Sequence, residues 1–351
     1  MATHYDPRVA PWQVGEDDIP SAGAFEDTAR FLLRFAILAP SGHNTQPWRF
    51  AVRAPDVLVF ADPARRLPVA DPDDRELTIS LGAAAMNLRV AAARAGFIAD
   101  VLAADAADDA HTADGGPVAR IRLSEAGAPD PALAALFPAL TARRTWRLAM
   151  EDRPLADAAA AALAGLTALG GASLQVVVDE AQRAALEALI HEGDLARMSD
   201  KAFRRELAHW MRPAHSHADD GLAGDALGLS PFASDLAAWS TKAFDMGKSI
   251  AAKDVTLAHE SAALVVVFAP DEPAALLDAG QLMERYVLTA ALHGVACSFF
   301  NLPVEAPEIR GKIGKLLGAA QLPQVLFRLG YRTGADLKPS ARRPLEDVLM
   351  D

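Results

Sequence analysis

Between Ala24 and Ala39, Phe25, Phe31, Leu32, Phe35 and Leu38 recur at spacings near three and four, so the pattern predicts a helix that stops at Pro40. A polar loop, Ser41-Gly-His-Asn-Thr-Gln46, follows and ends at Pro47. Trp48–Val52 and Val57–Phe60 read as strands, because they are rich in β-branched and aromatic residues. The acidic turn Asp71-Pro-Asp-Asp74 precedes a long helix expected over about 76–95, with Gly96 as its left-handed cap. Residues 105–117, mostly Ala, Asp and Gly, read as a linker. Residues 1–23, Pro-rich and acidic, read as an irregular arm.

A second run of elements starts near Asp130. The basic patch Arg143-Arg-Thr-Trp-Arg147 precedes a helix starting near Pro154 and a strand over 174–178. A helical stretch is expected over 180–210, then an irregular segment over 213–235, rich in Gly, Pro, Asp and His. The pattern then gives a strand at 263–268, a helix at 274–293 closed by Gly294, a strand at 295–300, a helix at 307–317 and a last strand at 324–331. Ala158–Val178 is uncharged and long enough to span a bilayer, but Thr167, Gly170-Gly171, Ser173 and Gln175 break it into helix, turn and strand. The expectation is a soluble, cytoplasmic protein that meets no membrane, with no basic-then-apolar leader at its start.

The chain repeats itself. Pro72, Gly82 and Gly96 recur as Pro270, Gly280 and Gly294, the two glycine pairs at one offset of 198, and Val57-Leu-Val-Phe-Ala resembles Val265-Val-Val-Phe-Ala. The expected organisation is two halves, 24–129 and 130–351, related by a pseudo-twofold axis. The halves differ in polarity. The polar loop stands in the first, where the second has only Ala168-Leu-Gly-Gly171. The arginines open the second, where the first has acidic Gly15–Pro20. One cleft between the halves should collect both polar sets, giving one functional site per chain.

Charge sharpens this. There are 34 Lys plus Arg against 46 Asp plus Glu, a net charge of −12, so an extended phosphate-backbone surface is not expected and nucleic acid is excluded as a partner. Against that acidity, Arg143, Arg144, Arg147, Arg342 and Arg343 stand out as a local anion site, since arginine forks match phosphate oxygens. Surface salt bridges are the alternative for any such cluster. There is no GxGxxG, no GxxxxGK[ST] and no GxSxG. His209, His215 and His217 beside Asp219 and Asp220 read as a solvated loop in preference to a metal site, and Cys297 as a buried thiol.

The stretch Ala39-Pro-Ser-Gly-His-Asn-Thr-Gln-Pro-Trp-Arg-Phe50 resembles the signature loop of the nitroreductase family. Arg143-Arg-Thr-Trp-Arg147 resembles the family's Arg-x-Ser/Thr-x-basic element, and Leu329-Gly-Tyr331 with Arg342-Arg343 resembles its domain end. The permuted order, with Gln281-Leu-Met-Glu-Arg285 and Arg342-Arg-Pro-Leu-Glu346, is similar to the long single-chain Acg-family branch of FMN-binding oxidoreductases. The resemblance implies an α+β nitroreductase-like fold: a dimer fused into one chain, with central sheets flanked by helices. It implies FMN bound by Arg143, Thr145 and Arg147, by Ser41, Asn44 and Gln46 across the interface, and by Arg342 and Arg343 at the phosphate, with Arg147 towards the flavin ring. It also implies hydride transfer from NAD(P)H to the flavin and on to a nitro or quinone acceptor, by ping-pong, with no obligatory protein acid. A flavin-storage protein, with 201–235 folded over the cofactor as a lid, is the alternative. A fused pseudo-dimer needs no second chain, so a monomer or weak homodimer is expected.

Overall fold

The computed structural model describes residues 8–20, 24–103, 115–334 and 338–350. The fold is α+β. A first antiparallel sheet contains β1 (Trp48–Arg53), β2 (Asp56–Ala61), β3 (Ile98–Ala103) and β4 (Ala119–Ser124), in the order β1-β2-β4-β3. The helices of this part are α1 (Phe25–Ala36) and α2 (Arg75–Arg94). Short helices α3 (Pro131–Ala134), α4 (Phe137–Ala142) and α5 (Asp157–Ala164) lead into the second part. Its strands are β5 (Met150–Glu151), β6 (Ala168–Leu169), β7 (Ala172–Val177), the small pair β8 (Met211–Arg212) and β9 (Leu222–Ala223), β10 (Ala263–Ala269), β11 (Ala296–Phe299) and β12 (Leu322–Arg332). Its helices are α6 (Glu180–Ser199), α7 (Lys201–Trp210), α8 (Pro231–Ala243), α9 (Gly247–His259), α10 (Pro273–Leu292), α11 (Leu302–Glu305) and α12 (Pro307–Leu316).

The second large sheet runs β11-β12-β10-β7-β6, again antiparallel, with β5 on the end of β12. The order β7-β10-β12-β11 repeats β1-β2-β4-β3, and α10 follows β10 as α2 follows β2. The repeat read from the glycines is therefore a repeat of topology. One large insertion breaks the likeness. β1 and β2 are joined by Ala54 and Pro55, whereas α6 to α9 stand between β7 and β10.

The halves meet where α2 crosses α10. Every residue of α2 except Arg89 and Arg94 is buried, so this helix is core on all sides. At the crossing a Cβ on Gly82 would lie 3.0 Å from the Leu277 carbonyl carbon and 3.1 Å from Gly280 Cα. A Cβ on Gly280 would lie 2.9 Å from the Ile79 carbonyl carbon and 2.9 Å from Gly82 Cα. Ile79 and Leu277 share the offset of 198, so the contact is reciprocal, as a twofold axis through the crossing requires. Both helices end at a left-handed glycine, Gly96 (φ 92°) and Gly294 (φ 70°).

Each part lends a segment to the other. After β4 the chain reaches the second sheet, where Thr145 bridges Cys297 and Trp146 N–H donates to the Cys297 carbonyl at 2.7 Å. After β12 it returns to β1, where Phe50 N–H donates to the Val348 carbonyl at 2.8 Å and Met350 N–H to the Phe50 carbonyl at 2.7 Å.

Three expectations are corrected. The arm is not irregular throughout: residues 10–13 and 16–18 form 3₁₀ turns, and Trp12 is buried in the core. The stretch 180–210 is two helices, broken at Asp200, which caps α7 through its carboxylate. The segment 213–235 is not wholly irregular: β9 pairs with β8, and α8 starts at Pro231 under a Ser230 cap. Most of the linker placed at 105–117 lies outside the described residues. No helix of the described residues is long and apolar enough to cross a membrane.

Candidate functional site

A cavity of about 300 Å³ opens beside the crossing and is lined from both halves. The first contributes Pro40–His43 and, from α2, Glu76, Ile79 and Ser80. The second contributes Thr145, Arg147, Met283 of α10, Phe299 of β11, Asn301, Leu302 and Glu305. The insertion adds Met198, Leu207, Leu222, Leu227, Ile250 and Asp254. Leu207, Leu222 and Leu227 come from the expected lid segment.

The loop after α1 is held in a costly shape. His43 (φ 49°), Asn44 (φ 55°) and Gln46 (φ 54°) are all left-handed, and such residues cost of order 1–3 kcal/mol each outside glycine. Hydrogen bonds fix them. Ser41 Oγ accepts from Gln46 N–H at 2.9 Å. Asn44 accepts from Arg342 at 2.9 Å and donates to the Gly221 and Ala341 carbonyls at 3.1 and 3.2 Å. Gln46 donates to the Asp219 carbonyl at 2.8 Å and accepts from Arg343 N–H at 2.9 Å. Asn44 and Gln46 thus staple the loop to the C-terminal tail and the insertion. Of this loop's nominated residues, only Ser41 lines the cavity.

The arginines divide in the same way. Arg143 and Arg342 are buried and both donate to the Leu38 carbonyl, at 3.2 and 3.0 Å, and Arg342 also to the Ala39 carbonyl at 2.9 Å. They satisfy carbonyls left open at the end of α1. Glu284, fully buried, lies 3.4 Å from Arg143. Burial raises its carboxyl to about 7 against the pull of Arg143 and Arg342. Arg343 is paired with Asp62 at 3.3 Å and donates to the Asp347 carbonyl at 2.8 Å. Arg144 stacks 4.7 Å from the Trp12 ring, and Arg342 lies 4.9 Å from it. Thr145 lines the cavity while its hydroxyl accepts from Arg143 at 3.4 Å. Of the five arginines, Arg147 lines this cavity, and Arg143, Arg144, Arg342 and Arg343 do not.

Arg147 differs from its neighbours in kind. Among the described residues it makes no hydrogen bond and no ion pair. Desolvation, then the Arg143 charge, lowers its guanidinium to about 10, so it stays a cation at neutral pH. His43, on the cavity wall, is held neutral: burial first, then the charges of Arg147 and Arg197, lower it to about 4. A desolvated cation without a counter-ion, among apolar side chains, is arranged for an anionic or electron-rich ligand.

Two carboxyl groups that sequence reasoning missed also face the cavity, Glu76 and Glu305, with Asp254 at the insertion side. Their sequence signal was weak, because acids at helix ends are common. Asp220, near the three histidines, is tied to Arg65 at 2.9 Å and Arg212 at 2.8 Å. Among the described residues no group of three or more His, Cys, Asp or Glu is placed to hold a metal ion. Cys297 is buried, and burial pushes its thiol up to about 12.

The matching place in the second half is filled. Asp278 of α10 stands at the same offset from Ser80, and its carboxylate accepts from Gly171 N–H at 2.9 Å. A Cβ on Gly170 would fall on that carboxylate. The turn between β6 and β7 thus packs against Asp278 of α10, the position that stands 198 residues after Ser80.

A Mycobacterium tuberculosis protein with the curated name "Putative NAD(P)H nitroreductase" is 32% identical over 330 residues, 92% of this chain and 91% of its own. This chain belongs to the nitroreductase family. A second relative from that organism, "Putative NAD(P)H nitroreductase acg", is 26% identical over 94% of this chain and 97% of its own. No family model matches. Among solved structures, a nitroreductase of Bacteroides fragilis with bound FMN is 17% identical over 58% of this chain and 91% of that chain, with a TM-score of 0.37. The FMN-dependent nitroreductase NfnB of Mycobacterium smegmatis, in complex with NADPH, is 19% identical over 57% of this nitroreductase and 89% of that chain, with a TM-score of 0.36.

Proposed function

We propose that this nitroreductase binds FMN in the cavity between its halves and passes reducing equivalents from NAD(P)H to a nitro or quinone acceptor. The observation that carries the reading is Arg147, a cation without a partner in a cavity whose wall mixes apolar side chains with polar ones. The residues present suit a flavin: apolar side chains from both halves for a ring system, the hydroxyls of Ser41 and Thr145, and one free guanidinium. Arg147 would hold the electron-rich edge of the ring or the phosphate, and its charge favours the reduced, anionic form. When bound, the flavin supplies hydride chemistry that no side chain here could supply alone. Ser41 and Thr145 would orient it, and the insertion excludes water with Leu207, Leu222 and Leu227. Donor and acceptor would share one binding place and follow one another in a ping-pong order.

Arg143, Arg342 and Arg343 support this site by position. They fix the end of α1, the loop and the tail, which is a different role from direct phosphate contact. The site is one per chain because the second cleft is filled. The boundary between the halves falls between β4 and α3, near 129 and 130.

The test is an absorbance spectrum of the purified protein followed by anaerobic titration with NADH and NADPH. Bound FMN that bleaches with either supports the reading. Arg147→Glu should lose most of the flavin while its melting temperature changes little. Full flavin content in that variant would overturn the assignment of Arg147.

A second reading, flavin storage, is favoured by the roof. The insertion is pinned over the cavity by Asn44 to Gly221, Gln46 to Asp219 and the Arg65–Asp220–Arg212 bridge. Bound flavin that bleaches but transfers nothing to quinone or nitroaromatic acceptors would select it.

A further inference from the structure

We propose that, of Glu76 and Glu305 at the cavity wall, one keeps a proton and delivers it to an oxygen of the electron acceptor as that acceptor takes up hydride. The proposal rests on the reading of the cavity as a redox site.

Glu76 stands in the first turn of α2, and Glu305 ends α11 in the other half; both line the cavity. The Glu305 side chain is 3% exposed, and its Oε2 has no hydrogen-bond partner. Its nearest cation, Arg197 Nε, is 3.5 Å away and likewise lacks an acceptor. Glu76 accepts from Arg75 at 3.1 Å, and Arg75 also donates to the Gln324 carbonyl. Asp71 is the third carboxyl; it accepts from Leu77 N–H at 2.8 Å, and burial raises it above the ordinary carboxylate value against that bond and the Arg75 charge.

The charges do not balance unless a proton is kept. Three carboxyls, Asp71, Glu76 and Glu305, face two guanidinium groups, Arg75 and Arg197. Asp271, the next acid beyond Arg75, is already paired with Arg310. His43 on the cavity wall is neutral, and Arg147 adds a cation on that wall only. A buried surplus carboxylate is costly, so one of the three carboxyls keeps a proton; Asp71 and Glu76 have donors that favour the charged form, whereas Glu305 Oε2 has none. Burial, the largest effect at both glutamates, raises Glu76 to about 7 and Glu305 well above the carboxylate range.

The chemistry needs such a group. A quinone becomes a hydroquinone by gaining one hydride, supplied by the reduced cofactor, and one proton. The carboxyl O–H bond breaks, a new O–H bond forms on the acceptor oxygen, and the carboxylate left behind is reprotonated from solvent. Of the other titratable groups at the wall, His43 carries no second proton at neutral pH and Arg147 holds its own; Asp254, raised by burial to about 6, lines the insertion side.

Two measurements test this. An infrared difference spectrum of the apoprotein at pH 7, parent minus Glu305→Gln or parent minus Glu76→Gln, should show one protonated-carboxyl stretch beyond those of Glu284 and Asp194, which all three proteins have in common. Either substitution leaves two carboxyls facing two guanidinium groups. In the flavin-loaded protein, Glu305→Gln should bleach with NAD(P)H at nearly the normal rate. Its reoxidation by a quinone should slow about 10²-fold, as loss of a general acid does. Glu76→Gln provides the same readout if Glu305→Gln fails to fold. An unchanged infrared band in both variants, or normal bleaching with normal reoxidation, overturns the proposal. A protein that does not bleach overturns the redox reading, and this proposal with it.

Discussion

The crossing of α2 and α10 can be tested by adding one methyl group. In Gly82→Ala the new Cβ would lie 3.0 Å from the Leu277 carbonyl carbon and 3.1 Å from Gly280 Cα. The Leu277 carbonyl oxygen lies closer still and is the first obstacle; non-bonded heavy atoms rest at about 3.5 Å, so the helices must part by about 1 Å or more. The obstacle is backbone on a helix buried on all sides, and no side chain can swing away. Overpacking of this kind costs about 1–3 kcal/mol. Alanine returns about 1 kcal/mol of helix propensity. The net loss is therefore up to about 2 kcal/mol for either Gly82→Ala or Gly280→Ala, a fall of a few degrees in Tm for a chain of this size. Gly311 on α12 is the control: nothing lies within 4 Å of a Cβ there, so Gly311→Ala should gain up to about 1 kcal/mol.

The two crossing substitutions share one obstacle, so their effects should not add. Once the first methyl has parted the helices, the second meets less resistance, and the double variant should lose less than the sum. Denaturant unfolding of the four proteins measures the coupling directly. Parting the helices also moves Ile79 and Ser80 away from Met283, so flavin retention should fall alongside stability. If Gly82→Ala melts above the parent, as Gly311→Ala should, the close reciprocal crossing is refuted.

Asp194 of α6 and Asp254 of α9 have carboxyls raised by burial to about 8 and about 6. The folded state holds protons that the unfolded chain gives up near 3.8, so this contribution is complete in acid and is lost as pH rises through about 8. Tm measured from pH 5 to 9 should fall, and Asp194→Asn should reduce the slope; an unchanged slope would contradict the pairing. Arg342→Leu takes the donor from the Ala39 carbonyl and from the Asn44 amide oxygen and leaves the Leu38 carbonyl with Arg143 alone, so it should cost about 1–3 kcal/mol for each of the two acceptors left unpaired, more than Arg144→Leu, in a chemical denaturation comparison.

The elements set by strong periodicity were legible. The strand β10 and the helices α2 and α10 showed themselves by apolar runs and terminal glycines, and the same glycines disclosed the repeat. What stayed hidden has physical reasons. The insertion looked irregular because Gly, Pro, Asp and His dominate it up to Leu229, and the only local signal of α8 is the Ser230-Pro231 start, where the Ser230 hydroxyl accepts from Ala233 N–H at 3.3 Å. The burial of Trp12 depends on Arg144 and Arg342, far away in sequence. The arginine cluster was visible as composition, but composition cannot distinguish Arg147 from Arg143. One lacks a partner; the other is held by the Leu38 carbonyl across 105 residues. Asn44 and Gln46 were marked for polarity, and their amides turn out to serve the architecture of the loop.

Two identical halves would give two equivalent clefts, and these two differ at matched positions of α2 and α10. At the Ser80 position a small hydroxyl leaves room beside the strained loop. At the matching Asp278 position a carboxylate caps the Gly170-Gly171 turn and fills the space. The strain of His43, Asn44 and Gln46, which no isolated turn would tolerate, is offset by bonds from two segments: the tail at Ala341–Arg343 and the insertion at 219–221. Neither segment lies in the first half. The open cleft therefore requires its own half to be incomplete, with loop shape dictated from the other. That dependence explains why the polar set and the free cation occur on opposite sides of the repeat: each half lacks what the other supplies, and only their joint cavity contains both.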